Sequence, residues 1–271
     1  MNMTEINTLF RKRIGIPDDE KITFDMLGGI LEKTAKAIPF DNVDIVENNI
    51  AEVTKENIIH KILIRHEGGL CYQLNSLLHF FLAENGFEVQ MVRGIVYNQV
   101  TQDWYKLGRT HAVNLLIHEG KKYLVDTGFG INLSLQPVPL DGTSVVSSNG
   151  EFRIKRVDTE QGDCIFEMKV NNRDSEWKTG FIFHSKQLIR NLSDFNDLQK
   201  IIVEKPESPF NKNYLLAQLT DAGHMTLTDT SFTRFANGET VKEKIDGATF
   251  KKLAQKHFKW GSMLTDPPHL G

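Results

Sequence analysis

The sequence predicts an α+β fold, with an N-terminal helical region, then an antiparallel sheet or small barrel, then a mixed α/β segment. Three observations support this order. Apolar residues recur at helical spacing up to about residue 85, short β-rich runs dominate from 87 to about 170, and both patterns occur after Trp177. A chain of 271 residues with 40% apolar residues can form a large core without disulfide bonds.

The N-terminal region contains three stretches with the apolar period of a helix. The first covers residues 23–38 and stops before Pro39, which cannot continue a helix. The second covers 57–64. The third covers 74–85 and is followed by Gly86, a residue typical of a helix C-terminus. We therefore expect helices throughout this region.

The central region contains short runs of β-branched and aromatic residues separated by Gly, Asn and Asp, which favour antiparallel strands. These runs are residues 87–98, 111–117, 121–128, 151–157 and 164–170. Residues 137–150 are expected to be a loop. Further along, 185–202 is predicted to be helical, 214–228 to be a hairpin around Asp221-Ala222-Gly223, and 249–260 to be a basic amphipathic helix.

Composition excludes several classes of protein. The net charge of −3 and pI near 6.3 do not favour nucleic-acid binding. The longest uncharged stretch, residues 68–83, is shorter than the roughly 18 apolar residues of a membrane span, and the N-terminus lacks a secretory pattern. Two cysteines cannot form a disulfide framework, and the His, Cys, Asp and Glu spacing indicates no metal site. We expect a cytoplasmic protein with no membrane, nucleic-acid or metal partner.

Cys71 is the strongest candidate for a reactive group. It follows Gly68-Gly69 and opens the apolar helix predicted after it. A thiol at a helix N-terminus feels the positive end of the helix dipole, which favours the thiolate. The alternative is that Cys71 is a small buried apolar residue, as most free cysteines are.

His111 and Asp126 are candidates for the base and the group that orients it. If Glu119-Gly120 is a two-residue hairpin loop, His118 lies opposite Lys121, and His111 and Asp126 become diagonal neighbours on one face. A carboxylate that accepts one imidazole N–H would let the other ring nitrogen take a proton from Cys71. A three-residue loop would place the two side chains on opposite faces, leaving a surface histidine and a turn aspartate.

Together these residues resemble the arylamine N-acetyltransferase family over most of the chain. The matching segments are Arg13-Ile14-Gly15, Ile38-Pro39-Phe40-Asp41-Asn42-Val43, Gly68-Gly69-Leu70-Cys71-Tyr72-Gln73-Leu74-Asn75, Thr110-His111, Val125-Asp126-Thr127-Gly128-Phe129-Gly130 and, in shortened form, Ser208-Pro209-Phe210. The resemblance implies a helical bundle over 1–86, an antiparallel β-barrel over 87–190 and an α/β lid over 191–271. It also implies a Cys-His-Asp triad formed by Cys71, His111 and Asp126.

The activity implied by the resemblance is acetyl transfer by a ping-pong mechanism. Acetyl-CoA is the donor, an acetyl-cysteine is the intermediate, and a small aromatic amine or hydrazine is the acceptor. The resemblance places Phe40, Phe129 and Phe210 in the acceptor pocket; ordinary core packing is the alternative for Phe40 and Phe210. It places Thr110, Gly128 and Gly130 beside the acetyl or pantetheine arm, with ordinary strand and turn roles as the alternative. It implies a monomer or homodimer.

Two positions depart from the family pattern beside Cys71. The family has Arg directly before Gly-Gly, where this chain has Glu67, and Glu two residues after Cys, where this chain has Gln73. An anion near Cys71 disfavours its thiolate, so we expect an intact triad with altered activity or substrate range. Two alternatives stay open: a protein that binds acetyl-CoA or arylamines without efficient turnover, and a Cys-His-Asp hydrolase.

Overall fold

The computed structural model describes residues 4–260. Its N-terminal part is helical, as the apolar spacing predicts. The helices are α1 (Glu5–Ile14), α2 (Leu27–Ala37), α3 (Val43–Val46), α4 (Lys55–Ile59) and α5 (Cys71–Glu84), with a 3₁₀ turn at Phe24–Met26 and a π-helical turn at His60–Ile64. The α2 helix ends before Pro39, and α5 ends just before Gly86, whose φ of 86° is in the left-handed region.

The helix α5 lies at the centre of the main hydrophobic core. Its residues Leu77, Leu78 and Phe81 are fully buried, and Phe81 packs against Phe10 of α1 with ring centroids 4.4 Å apart. Packing on several sides fixes the axis of α5 and therefore the position of Cys71 at its start.

The central part forms a curled antiparallel sheet that is a nearly closed barrel. Its strands are β2 (Glu88–Asn98), β3 (Asp103–Trp104), β4 (His111–His118), β5 (Lys121–Val125), β6 (Val138–Pro139), β7 (Val145–Ser147), β8 (Gly150–Thr159), β9 (Gly162–Val170) and β10 (Lys178–Ile189). The order is β6-β5-β4-β2-β10-β9-β8-β7, with β3 beside β2. Because β6 contacts β8, the sheet nearly closes on itself around a core that includes Phe152, Phe166 and Phe181.

The C-terminal part forms a second antiparallel sheet flanked by helices. It contains β11 (Leu215–Thr220), β12 (Gly223–Thr228), β13 (Ser231–Ala236) and β14 (Glu239–Lys244), together with α6 (Asp194–Glu204) and α7 (Gly247–Phe258). The sheet order is β1-β11-β12-β13-β14, where β1 (Phe40–Asp41) comes from the helical region. Thus β1 links this sheet to the segment before Cys71, because Phe40 also pairs with Gly69.

The α+β class and the predicted order of helices, barrel and mixed segment are confirmed. The hairpin across 214–228 and the helix near 249–260 are also confirmed. The division at residues 86/87 and 190/191 stays a prediction. No helix within residues 4–260 has both the length and the apolar character needed to cross a membrane.

Two local predictions were wrong, and one hairpin was missed. Residues 137–150 contain the short strands β6 and β7, which are too short for a sequence period to reveal. The helix predicted from residue 185 begins at Asp194, because residues up to Ile189 extend β10 and pair with β2 beyond an irregularity in register. The hairpin of β13 and β14 was not identified.

The hairpin between β4 and β5 has the register expected from a two-residue loop. His118 pairs with Lys121, and Asn114 pairs with Val125. The loop residues Glu119 and Gly120 have φ angles of 49° and 73°, as a tight hairpin turn requires. The strand β5 ends at Val125, so Asp126 comes directly after it and lies near His111 at the start of β4.

Candidate active site

Cys71 is the first residue of α5 and is 7% exposed. Its thiol donates to the backbone oxygen of Thr110, with 3.3 Å between Sγ and O. The N–H groups of the first helical turn lack carbonyl partners within the helix and give this end a positive potential. The predicted position of Cys71 at a helix N-terminus is therefore confirmed.

The Gly68-Gly69 segment is held against β1 by hydrogen bonds. Asp41 N–H donates to Gly69 O at 3.1 Å, and Gly69 N–H donates to Pro39 O at 3.3 Å. The Asp41 carboxylate accepts the N–H of Gly68. A Cβ atom at Gly68 would lie 2.1 Å from Pro39 O, so only glycine fits between the two segments. This packing fixes where the chain enters α5.

His111 and Asp126 form a close, fully buried pair. The distance from His111 Nε2 to Asp126 Oδ2 is 2.7 Å, and both side chains are less than 5% exposed. The other ring nitrogen of His111, Nδ1, remains available to Cys71. His111 and the Cys71 side chain form a hydrogen bond. The imidazole thus lies between a thiol and a carboxylate, the arrangement required for base-assisted activation of a sulfur nucleophile.

The surroundings of His111 favour its protonated form. Burial of the ring opposes protonation, but the charge of Asp126 and the hydrogen bonds to Asp126 and Cys71 outweigh burial and raise the pKa of His111 to about 10. The imidazole is therefore cationic at neutral pH in this structure. A cation beside the Cys71 sulfur stabilises negative charge on that sulfur.

Asn75 connects α5 to the Asp126 carboxylate. Its side-chain amide donates to Asp126 Oδ1 and to Ala112 O, each at 2.8 Å, and its Oδ1 accepts the Thr127 N–H at 3.1 Å. Asn75 belongs to the Cys71 motif, but sequence reasoning gave it no role. The signal that could have identified Asn75 is its position one helical turn after Cys71, which places both residues on the same side of α5.

A cavity of about 400 Å³ opens above Cys71 and His111. The three phenylalanines expected in the acceptor pocket, Phe40, Phe129 and Phe210, all line it. The ring of Phe129 lies 5.0 Å from that of His111, and Phe40 meets Phe210 edge-on at 5.7 Å. The three rings therefore come together from distant parts of the chain.

The three small residues expected near the donor arm also line this cavity: Thr110, Gly128 and Gly130. Gly128 packs directly against Cys71, because a Cβ there would lie 2.5 Å from Cys71 Cα. Its N–H donates to Asp126 Oδ1 at 2.7 Å. Gly130 has a φ of 61°, a conformation that favours glycine. Apart from its own atoms and those of its two chain neighbours, no described heavy atom lies within 4 Å of the position that a Cβ atom would take there.

Most of the remaining cavity wall was not identified from sequence. It includes Val96, Tyr105, Leu107, Ile131, Asn132, Ile202, Leu215, Ala217 and Thr226. These residues come from β2, the segments around β3 and β5, α6 and the second sheet. No motif marks them, since only the tertiary fold brings their elements together.

The two departures from the family pattern have partners in the structure. Glu67 forms an ion pair with Arg65, with 2.7 Å between Oε2 and the guanidinium nitrogen. Burial raises the pKa of Glu67, while Arg65 and then Lys61 lower it in part. Gln73 Oε1 accepts the N–H of Leu70 at 3.1 Å and so caps the start of α5.

No group of three or more His, Cys, Asp or Glu side chains suited to a metal ion occurs within residues 4–260. The polar groups near the cavity floor are Cys71, His111 and Asp126, and their contacts are those of a thiol, an imidazole and a carboxylate in series.

Comparison with known proteins supports one family. A family model described as N-acetyltransferase matches residues 23–261. The probable arylamine N-acetyltransferase 3 of Dictyostelium discoideum is 30% identical over 96% of this chain and 94% of its own length. Arylamine N-acetyltransferase C of Bacillus anthracis is 38% identical and superposes with a TM-score of 0.89 over 95% of this chain and 99% of that one.

A Bacillus cereus arylamine N-acetyltransferase is 37% identical, with a TM-score of 0.88 over 93% of this chain and 97% of that one. That enzyme is described as having a unique Cys-His-Glu catalytic triad, whereas the carboxylate that contacts His111 in this chain belongs to Asp126. The fold, the family match and these similarities agree across nearly the whole length. The chain therefore belongs to the arylamine N-acetyltransferase family and is an acetyltransferase.

Proposed function

We propose that this protein transfers the acetyl group of acetyl-CoA to the nitrogen of a small aromatic amine or hydrazine through an acetyl-Cys71 intermediate. The observation that carries this proposal is the placement of His111 between Cys71 and the buried Asp126, at the floor of an apolar cavity. Cys71 is the nucleophile, His111 transfers the proton, and Asp126 orients His111 and stabilises its charge.

In the first half-reaction, the Cys71 thiolate attacks the thioester carbonyl carbon of acetyl-CoA. A bond forms between Sγ and the carbonyl carbon, and negative charge develops on the carbonyl oxygen. The backbone N–H of Cys71 lies at the N-terminus of α5 and is suited to donate a hydrogen bond to that oxygen. The bond to the CoA sulfur then breaks, and that sulfur leaves with the proton held by His111.

In the second half-reaction, the acceptor nitrogen attacks the carbonyl carbon of acetyl-Cys71. His111 is now neutral and takes a proton from that nitrogen, while the bond to Sγ breaks. Cys71 leaves as a thiolate beside a protonated His111, which restores the starting state. The raised pKa of His111 helps both halves, because a cationic imidazole stabilises the sulfur anion that attacks and leaves.

The lining of the cavity supports acetyl-CoA as the donor. Only the acetyl group and the uncharged pantetheine arm need to enter, and the walls near Cys71 are apolar or small at Thr110, Gly128 and Gly130. Aromatic acceptors suit the same space, because the rings of Phe40 and Phe129 offer flat apolar area.

The test is intact-protein mass spectrometry after mixing the protein with acetyl-CoA, with Cys71→Ala and the matched Cys164→Ala beside it. Cys164 is fully buried in the barrel core, so it controls for loss of a cysteine elsewhere. We expect a gain of one acetyl group in the native chain and in Cys164→Ala, none in Cys71→Ala, and discharge of the adduct by an arylamine or hydrazine.

The alternatives give different outcomes. A protein that only binds acetyl-CoA would be stabilised against heating by acetyl-CoA but would never carry an acetyl group on Cys71. A Cys-His-Asp hydrolase would lose the adduct to water at the same rate with and without an amine. Either result would contradict the proposed transfer.

A further inference from the structure

The wall of the active-site cavity carries no Asp, Glu, Lys or Arg among the residues that the structure describes. Away from Cys71 and His111, its polar side chains are the neutral ones of Tyr105, Thr110, Asn132 and Thr226. The rest of the wall is aliphatic or aromatic. Among the described residues, an acceptor in this cavity therefore contacts no Asp, Glu, Lys or Arg side chain. The guanidinium of Arg173 donates to Asn132 Oδ1 at 2.6 Å, but it is not part of the wall and is paired with Asp174 at 2.8 Å.

The reacting end of the cavity is fixed by chemistry and by packing. The acceptor nitrogen must reach the acetyl carbonyl on Cys71, whose neighbours are His111 and Gly128. The buried Asp126 is engaged by His111, Asn75 and Gly128 and does not line the cavity. A substituent on the far side of the acceptor ring points away from these groups and lies along the apolar walls.

We infer that the acceptors of this enzyme are neutral aromatic amines and hydrazines with apolar ring substituents, and that aromatic amines bearing a carboxylate are poor substrates. This inference rests on the proposed function. A carboxylate on the far side of the ring leaves water for a mostly apolar wall whose polar side chains are neutral, and it loses much of its hydration free energy. A neutral substituent of the same size loses far less, and it gains contact with the rings of Phe40 and Phe210.

The test compares two acceptors that differ in charge at one position, 4-aminobenzoate and its methyl ester. The ester group withdraws more electron density than the carboxylate, so intrinsic amine nucleophilicity favours 4-aminobenzoate. We expect kcat/KM for the ester to exceed that for 4-aminobenzoate by about a hundredfold, the magnitude expected for an unpaired buried polar or charged group. Equal values, or a preference for the carboxylate, would overturn the inference.

A second measurement uses the cavity wall itself. Thr226→Lys places a cation on the wall, and Thr226→Met places a neutral side chain of similar length there. We expect the ratio of kcat/KM for 4-aminobenzoate over its ester to rise about tenfold in Thr226→Lys and to stay within about twofold in Thr226→Met. A similar ratio in both variants would contradict control of selectivity by wall charge.

Failure of this inference is distinguishable from failure of the proposed function. Acetylation of Cys71 by acetyl-CoA precedes acceptor binding and is measured by intact mass in each variant. An acetylated enzyme that prefers the carboxylate keeps the proposed function and overturns only the inference. An enzyme that is never acetylated overturns the function itself.

Discussion

The side-chain amide of Asn75 donates a hydrogen bond of 2.8 Å to Oδ1 of Asp126, whose other oxygen holds His111. Gly128 N–H donates to the same Oδ1 at 2.7 Å. The carboxylate is thus fixed from three sides in a site where it is 4% exposed. Since Asn75 belongs to α5, the helix that carries Cys71 also helps to hold the carboxylate that orients the imidazole of His111.

Removal of this link is expected to damage both folding and reactivity. Asn75→Ala leaves the Ala112 carbonyl and Thr127 N–H without their partner and frees one side of Asp126. We expect a loss of about 2–4 kcal/mol in the free energy of unfolding, measured by urea titration. Acetylation of Cys71 should slow about tenfold under conditions where the variant is fully folded.

Ser76→Ala is the matched control for that variant. Ser76 is also fully buried on α5, but its hydroxyl has no hydrogen-bond partner among the described atoms. The control should lose less than about 1 kcal/mol and keep its acetylation rate. Equal losses in the two variants would show that Asn75 acts only through core packing.

Exchange of Asp126 for its longer homologue tests how much the exact carboxylate position matters. The Bacillus cereus relative is described with a Cys-His-Glu triad, so a glutamate can serve in this fold. In this chain Asp126→Glu pushes the carboxylate away from the Gly128 N–H. We expect acetylation about ten- to a hundredfold slower in Asp126→Glu and at least about a thousandfold slower in the neutral Asp126→Asn. A faster rate in Asp126→Asn than in Asp126→Glu would contradict a charge-based role.

Much of this fold and of the reacting centre could be predicted from sequence. The β4–β5 register followed from the two-residue turn at Glu119-Gly120, and that register places His111 close to Asp126. The proximity of Cys71 to that pair needed the family resemblance, because no local pattern fixes how α5 packs on β4. The outer cavity wall could not be predicted, because residues such as Val96 and Thr226 come from separate sheets.

The end of β10 shows a different limit of predicting secondary structure from sequence. Residues 185–189 have a helix-like composition, yet Leu188 and Ile189 pair with Val92 and Met91 of β2. Pairing with the neighbouring strand outweighs the weak local preference of so short a segment. Tertiary contacts determine the secondary structure of such short segments, and those contacts cannot be inferred from a single sequence.

The raised pKa of His111 predicts how stability changes with pH. The ring is protonated in the folded chain up to about pH 10, whereas an unfolded histidine loses its proton near 6.5. The stabilisation from this proton is therefore complete below about pH 6.5 and is lost as the pH rises toward 10. Unfolding free energies of the native chain and of His111→Gln should differ most at low pH and converge between pH 7 and 10. A difference that grows with pH would contradict an imidazolium in the folded state.

A buried charge cluster lies behind the segment that leads to Cys71. Lys61 Nζ is 2.5 Å from Asp44 Oδ2 and 3.9 Å from Asp41 Oδ1, and its side chain is 7% exposed. Burial raises the pKa of Asp41, and Lys61 partly offsets that effect. Glu67 is a third carboxylate that interacts electrostatically with Lys61, Asp44 and Asp41. One buried lysine therefore faces three acidic side chains, with Arg65 paired to Glu67 nearby.

This charge balance predicts that a glutamate in place of Gln73 would be unfavourable. That side chain lines a small polar cavity with Asp41, Asp44 and Lys61, where one more carboxylate would meet excess negative charge. We expect Gln73→Glu to lower the free energy of unfolding by about 1–3 kcal/mol at pH 8 and by less at pH 5, since acid neutralises the added group. When Glu67→Gln is combined with Gln73→Glu, part of the lost free energy of unfolding should be recovered. A double-mutant cycle, with each variant unfolded in urea, measures this recovery. Strict additivity of the two substitutions would show that the two positions are not electrostatically coupled.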